Sequence, residues 1–264
     1  MDLKLDGKSA LVSGSTAGIG FAIAQLLAQE GASVILNGRT QQRVTQAIDK
    51  IKQTTPNAQV SGVVADLGTK AGVEQVVQEV PHVDILVNNL GIYEPKPFFE
   101  ITDEDWLNIF EVNVLSGIRL SRKYLQKMLD QNWGRIIFIS SESAIQIPTE
   151  MIHYGTTKTA QLAIARGLAE ISVGTGVTVN SVLPGPTRSE GVEVFINQLA
   201  KERGISIAEV EAEFFQNLRP TSIIKRFATC EEVAAIAVYL SSPLASATNG
   251  AALRVDGGVI RAIV

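Results

Sequence analysis

Short runs of aliphatic and β-branched residues alternate along the chain with longer segments whose apolar positions recur every three to four residues. The runs at 9–13, 33–37, 60–65, 84–88, 135–140, 177–183 and 251–255 are apolar without strict alternation, which predicts strands buried on both faces. Helical spacing marks the segments near 19–30, 41–53, 70–79, 103–130, 151–173 and 230–241. Two of these carry start signals: Thr229 with Glu232 spells a capping box, and Thr102 with Asp105 is a version whose third residue is a methylene shorter. Strand and helix in regular succession predict βαβ units. The expected fold is α/β, with a seven-stranded, mainly parallel, doubly wound sheet and helices on both faces.

No Pro/Ser-rich linker, low-complexity tract or internal repeat divides the 264 residues, so a single domain over 1–264 is expected. The alternation pauses at 186–228. This Gly/Pro-bounded stretch has apolar residues at helical spacing (Val192, Phe195, Ile196, Leu199, then Phe214, Phe215, Leu218). A helical insertion after a strand's carboxyl end reads as a substrate lid within the domain, with a peripheral helical hairpin as the alternative.

Charge narrows the partners. Against 27 Asp+Glu stand 23 Lys+Arg, a net −4 that offers no positive field to nucleic acid or anionic lipid. The longest apolar stretch, 233–240, falls far short of the roughly 20 residues a membrane span needs, and the first residues, MDLKLDGK, lack a secretory h-region. One cysteine, Cys230, precludes an intrachain disulfide and fits a reducing, cytoplasmic compartment. With only His82 and His153 beside it, no metal site is expected. Cys230 itself reads as a small packing residue.

Directly after the first strand, Ser13-Gly14-Ser15-Thr16-Ala17-Gly18-Ile19-Gly20 leads into an apolar helix. Glycines let a ligand approach the backbone, and a helix amino end presents free N–H groups and partial positive charge to a diphosphate. Asp66-Leu67 closes the third strand and Asn88-Asn89-Leu90-Gly91 the fourth, so polar groups gather at the sheet edge where α/β folds bind dinucleotides. The second strand ends in Asn37-Gly38-Arg39: no carboxylate awaits a ribose, and a guanidinium suits a 2′-phosphate. NADP is therefore the preferred cofactor, with NAD possible.

Of four tyrosines, only Tyr154 has a lysine four positions on (Lys158) and a serine thirteen before it (Ser141). Tyr154 and Lys158 fall one turn apart on a helix face, and Ser141 sits at a strand's carboxyl end. A phenol ionises near pH 10, too high for a base at neutrality, and an ammonium nearby is expected to lower that value. His153 points away from its neighbour and reads as packing or surface, while Glu142 and Glu150 read as solvated, although Glu142 could reach a polar substrate.

The spacing Gly-x3-Gly-x-Gly together with Tyr154-x3-Lys158 and Ser141 resembles the short-chain dehydrogenase/reductase family over nearly the whole chain. The resemblance implies a Rossmann fold. It assigns Gly14, Ser15, Thr16, Gly18, Ile19 and Gly20 to the diphosphate, Asp66 and Leu67 to adenine, and Asn89 and Gly91 to the neighbouring strand and cofactor. Asn37 and Arg39 fall at the adenosine ribose, and Pro184 and Thr187 beside the nicotinamide. It makes Tyr154 the proton donor or acceptor, Ser141 the holder of the carbonyl oxygen, Lys158 the ribose ligand and Asn113 the start of a proton relay. Leu90 stands where the family usually has alanine, Ala17 where NADP-dependent relatives often have a cation, and Thr187 and Ser189 where Ile or Val and Thr are usual.

The implied activity is interconversion of a ketone and a secondary alcohol on a small or medium, partly apolar molecule, running as NADPH-dependent reduction. One alternative is reduction of a 3-oxoacyl thioester on acyl carrier protein, which would want a basic docking patch. Another is a cofactor-binding sensor without turnover. The family also implies homodimers or homotetramers paired through helices 103–130 and 151–173, for which Met128, Leu162 and Leu168 would face outward.

Overall fold

In the computed structural model, which describes residues 2–263, strand β1 (Ser9–Val12) sends Ala10 and Val12 into one apolar cluster and Leu11 into another. The same division recurs in β4 (Ile85–Asn88), where Ile85 and Val87 oppose Leu86, and in β5 (Gly134–Ile139), where Ile137 and Ile139 oppose Ile136 and Phe138. Both faces of these strands are buried, and their polar residues, Ser9, Asn88 and Arg135, fall at or next to a strand end.

Strands β2 (Ser33–Gly38), β3 (Val60–Val64), β6 (Val177–Pro184) and β7 (Ala252–Val255) complete a sheet of order β3-β2-β1-β4-β5-β6-β7. Every neighbouring pair is parallel, beyond the expectation of a mainly parallel sheet. Helices α1 (Gly18–Gln29), α2 (Gln41–Thr54) and α9 (Cys230–Ser241) cover one face. The other carries α3 (Lys70–Glu79), α5 (Ser116–Asp130) and α6 (Ile152–Ile171). Winding reverses between β1 and β4, which opens a crevice at their carboxyl ends.

The expected helix 103–130 is a rod with one widened turn: α4 (Asp103–Phe110) passes through a π turn, Glu111–Leu115, into α5. Both expected capping boxes, Thr102/Asp105 and Thr229/Glu232, form. Met128 packs wholly inside, because its position on α5 faces the sheet, so it cannot be an outward residue. Leu168 likewise packs against that inner cluster.

Residues 186–228 carry α7 (Glu190–Arg203), capped by Ser189 and ended by Gly204 in the left-handed region (φ 64°), and α8 (Ile207–Glu213) with a Ser206/Glu209 capping box. A π turn, Phe214–Leu218, follows. Ile196, Ala200, Val210, Phe215 and Phe227 form a third apolar cluster, in which the rings of Phe214, Phe215 and Phe227 lie 4.9–5.1 Å apart. Phe195 (60% exposed) and Leu218 (54%), counted as apolar-face residues by spacing, lie outside it. Where the segment leaves and rejoins the sheet, Ala228 N–H donates to Pro186 and Arg188 N–H to Ala228 (2.9 and 2.8 Å).

No helix among the described residues is long and apolar enough to cross a membrane.

Candidate active site

The turn between β1 and α1 is shaped by its glycines. Gly14 (φ +61°) and Gly18 (φ +59°) adopt left-handed conformations that strain other residues, and a Cβ on Gly20 would lie 2.3 Å from Asn89 Nδ2 and 2.7 Å from the Gly14 carbonyl. Asn89 braces the turn by donating to the carbonyls of Ser13 (3.0 Å) and Gly14 (3.1 Å). Helix α1 starts without a side-chain cap and without an acidic residue in its first turn, leaving its first N–H groups and dipole open to an anion. These features fit a dinucleotide diphosphate. Thr16 and Ile19 flank the turn, both partly exposed.

Two expected ligands also brace the turn. The Ser15 hydroxyl donates to the Val12 carbonyl (2.7 Å) and accepts from Asn37 N–H (2.9 Å), and Ser15 N–H donates to the Asn37 carbonyl (3.0 Å). The Asn37 side chain donates to Val63 and Ala65 carbonyls (3.4 and 3.1 Å) and accepts from Gly14 N–H (3.2 Å). Both residues are buried, with their polar groups engaged in tying the turn to β2 and β3. Leu67 sends its side chain into the core, while Asp66 is exposed, its carboxylate accepting from Gly68 N–H. Arg39 is exposed just past β2, with no ion-pair partner among the described residues.

At the other end of the crevice a cavity of about 130 Å³ is lined by Ile19, Asn89, Gly91, Tyr93, Ile139, Ser140, Tyr154 and Lys158. Lys158 Nζ donates to the Ile139 carbonyl (3.0 Å) and to Gln161 Oε1 (3.3 Å). Gln161 in turn donates to the Asn113 carbonyl (2.6 Å). Within the π turn, the Asn113 side chain accepts from Ile92 N–H (2.7 Å) and donates to the Ile92 carbonyl (2.9 Å) and the Thr157 hydroxyl (3.0 Å), pinning the loop after β4. A Cβ at Gly91 would lie 3.3 Å from Lys158 Nζ, so glycine lets the ammonium approach the chain.

Burial draws the Lys158 ammonium down to about 8. Burial also pushes the Tyr154 phenol up, only partly offset by the Ser141 hydroxyl beside it. The expectation that Lys158 acidifies the phenol therefore fails in the free protein: Nζ is 5.6 Å from the ring centre and engaged elsewhere, so desolvation wins.

The Ser141 hydroxyl donates to Glu142 Oε2 (2.6 Å) and accepts from Ser143 N–H (3.1 Å). Glu142, expected in solvent, is 5% exposed and ion-paired to Arg219 (3.0 Å), whose other branch reaches the half-exposed Glu150. Serines on both sides of Glu142 were the only local hint of this burial. Arg219 and Gln161 carried none. Pro184 closes β6, and Thr187, buried, donates its hydroxyl to the Gly185 carbonyl (2.9 Å). This turn brings Ser189 against the glycine turn, 3.5 Å from where a Gly18 Cβ would stand.

His153 is buried against Trp106, with ring centres 5.9 Å apart, and burial lowers its pKa, so it packs as a neutral group. Burial pushes the Cys230 thiol up to about 11, away from reactivity. Among the described residues no group of three or more His, Cys, Asp or Glu is placed to hold a metal ion.

A family model described as short chain dehydrogenase matches residues 8–199. The chain is 52% identical to an uncharacterized oxidoreductase of Bacillus subtilis, YvaG, with all of both chains covered. It is 32% identical to the 3-oxoacyl-[acyl-carrier-protein] reductase FabG of Aquifex aeolicus, covering 98% of this chain and all of that one. Among solved structures, L-sorbose reductase from Gluconobacter frateurii, complexed with NADPH and L-sorbose, superposes with a TM-score of 0.92 at 31% identity, with both chains fully covered.

Proposed function

The chain belongs to the short-chain dehydrogenase/reductase family, as an NAD(P)-dependent oxidoreductase acting between CH–OH and carbonyl groups, and we propose that it works as an NADPH-dependent ketone reductase. One observation carries this reading: Tyr154 and Lys158 line the same cavity as Ile19 of the glycine turn, with the Ser141 hydroxyl beside the phenol. When bound there, a reduced nicotinamide dinucleotide would supply the hydride for the carbonyl carbon. Tyr154 gives the carbonyl oxygen its proton, and a phenol that burial keeps protonated is suited to that direction. Ser141, whose own proton goes to Glu142, offers a lone pair to the phenol and to the hydroxyl of the alcohol as it forms.

Lys158 directs two of its three protons to Ile139 and Gln161, and the third is free for a ribose hydroxyl. Asn113 keeps the loop after β4 in register with that ammonium. Arg39 receives the 2′-phosphate, in keeping with NADPH in the L-sorbose reductase. Residues 186–228 form the substrate-facing wall, supported by Arg219 reaching into the Ser141 corner. The assembly is a homodimer or homotetramer, as in the family.

The test is NADPH and NADH oxidation with L-sorbose, acetoacetate and a 3-oxoacyl carrier-protein thioester. Turnover of a free ketone with NADPH favoured supports the reading. Strong preference for the carrier-protein thioester would replace it with the acyl reductase. Tight cofactor binding with no turnover of any carbonyl would leave a sensor.

A further inference from the structure

Proton transfer between Tyr154 and a carbonyl leaves the cluster around Glu142 unexplained. Glu142 opens a single 3-10 turn after β5, a position where burying a carboxylate is costly unless its lone pairs are met. They are met. Oε2 accepts from the Ser141 hydroxyl (2.6 Å), Ser143 N–H (2.9 Å) and the Ser143 hydroxyl (3.2 Å), and Oε1 accepts from Arg219 Nε (3.0 Å). Arg219, which follows the π turn of the insertion, also donates to Glu150 Oε1 (3.2 Å) and the Leu218 carbonyl (2.8 Å). The end of β5, the approach to α6 and the insertion thus meet on one guanidinium, its side chain 12% exposed.

A hydroxyl has one proton and two lone pairs. The Ser141 proton goes to Glu142 and one lone pair takes Ser143 N–H, which leaves a single lone pair to accept from the Tyr154 hydroxyl or from the hydroxyl of the alcohol product. We propose that Glu142, held by Arg219, is the positioning residue that fixes the direction of the Ser141 hydroxyl, and that the insertion thereby sets the geometry of the reacting corner. The proposal deepens the function above and rests on the place of Ser141 in it. No change of protonation is required of Glu142. An orienting carboxylate acts by holding its neighbour, as the aspartate does for the histidine of a serine-hydrolase triad.

If the ion pair merely fastens the insertion, its loss lowers stability without reference to Ser141. The experiment measures NADPH oxidation with diacetyl, a small dione whose electron-poor carbonyl accepts hydride readily. It compares wild type, Glu142→Gln, Ser141→Ala and the double variant, using single-turnover conditions where the steady state is slow. In the glutamine variant the guanidinium claims the amide oxygen, which turns the –NH2 toward Ser141 and reverses that hydrogen bond.

The expected result is a fall in kcat of about tenfold, with KM for diacetyl and Kd for NADPH within about threefold, and a change under about twofold when Ser141 is already alanine. Arg219→Lys, which keeps the charge and loses the fork, gives a smaller loss that is also silent without Ser141. Equal loss in both backgrounds, or a lowered Tm with kcat intact, overturns the proposal. Full activity in Ser141→Ala, or no NADPH oxidation by wild type, instead overturns the function on which it rests.

Discussion

At the β1–α1 end of the crevice the working groups are main-chain N–H donors of an uncapped helix and three glycines, with no acidic side chain in the first turn. At the β5–α6 end they are ionisable side chains withdrawn from water, with Lys158 drawn down to about 8 and Tyr154 pushed up. Peptide groups do not titrate, so an anion at the first end would be held with the same strength across the working pH range. The partly buried phenol and the buried ammonium have their proton affinities set by desolvation, so the second end responds to pH and to what occupies it. Binding and chemistry can therefore be separated by mutation.

The sharpest separation is Tyr154→Phe, expected to lower turnover roughly a thousandfold while NADPH affinity stays within a few-fold, since only the phenolic proton is lost. A ketone turnover assay paired with NADPH fluorescence titration reads both. Gly20→Ala does the converse. Its Cβ meets Asn89 Nδ2 and the Gly14 carbonyl, so Kd for NADPH rises roughly 10- to 100-fold and kcat at saturation changes little. Equal damage to kcat would merge the two ends.

The third expectation uses pH. The Lys158 pKa falls from 10.5 to about 8 on folding. Below pH 8 folded and unfolded chains both carry the proton, and the folded one bears the buried charge. Between about 8 and 10.5 the folded chain releases it first, so the unfolded chain binds more protons and stability rises with pH. Wild type should therefore gain about 2 kcal/mol on Lys158→Met between about pH 7 and pH 9.5, measured by urea unfolding. A constant gap would mean that burial does not set this lysine. The smallest effect belongs to Arg39→Asp, expected to move the NADPH/NADH ratio of kcat/KM about tenfold toward NADH.

Much of this was legible in the chain because the determinants are local. Runs such as 135–140 declare a strand buried on both faces, and the glycine turn and the four-residue step from Tyr154 to Lys158 are short-range patterns. What local pattern could not supply was partnership across the fold. Glu142 reads as solvated because Arg219 lies 77 residues away, and the bracing bonds of Asn37 go unread because its partners Val63 and Ala65 lie in and just past another strand. The phenol departs from its pattern for a related reason: spacing gives the distance to a lysine but not the desolvation that opposes it. In the insertion, Phe195 and Leu218 keep helical spacing yet face solvent, because its small core is closed by Phe214 and Phe215 of the π turn together with Phe227.

The insertion leaves the sheet at Pro186 and returns at Ala228, where a narrow neck of main-chain bonds joins the two, and it carries its own aromatic core. Such a cassette can lengthen, shorten or be exchanged during descent while the parallel sheet keeps its register. Selection can thus remodel the insertion without rebuilding the crevice beneath it.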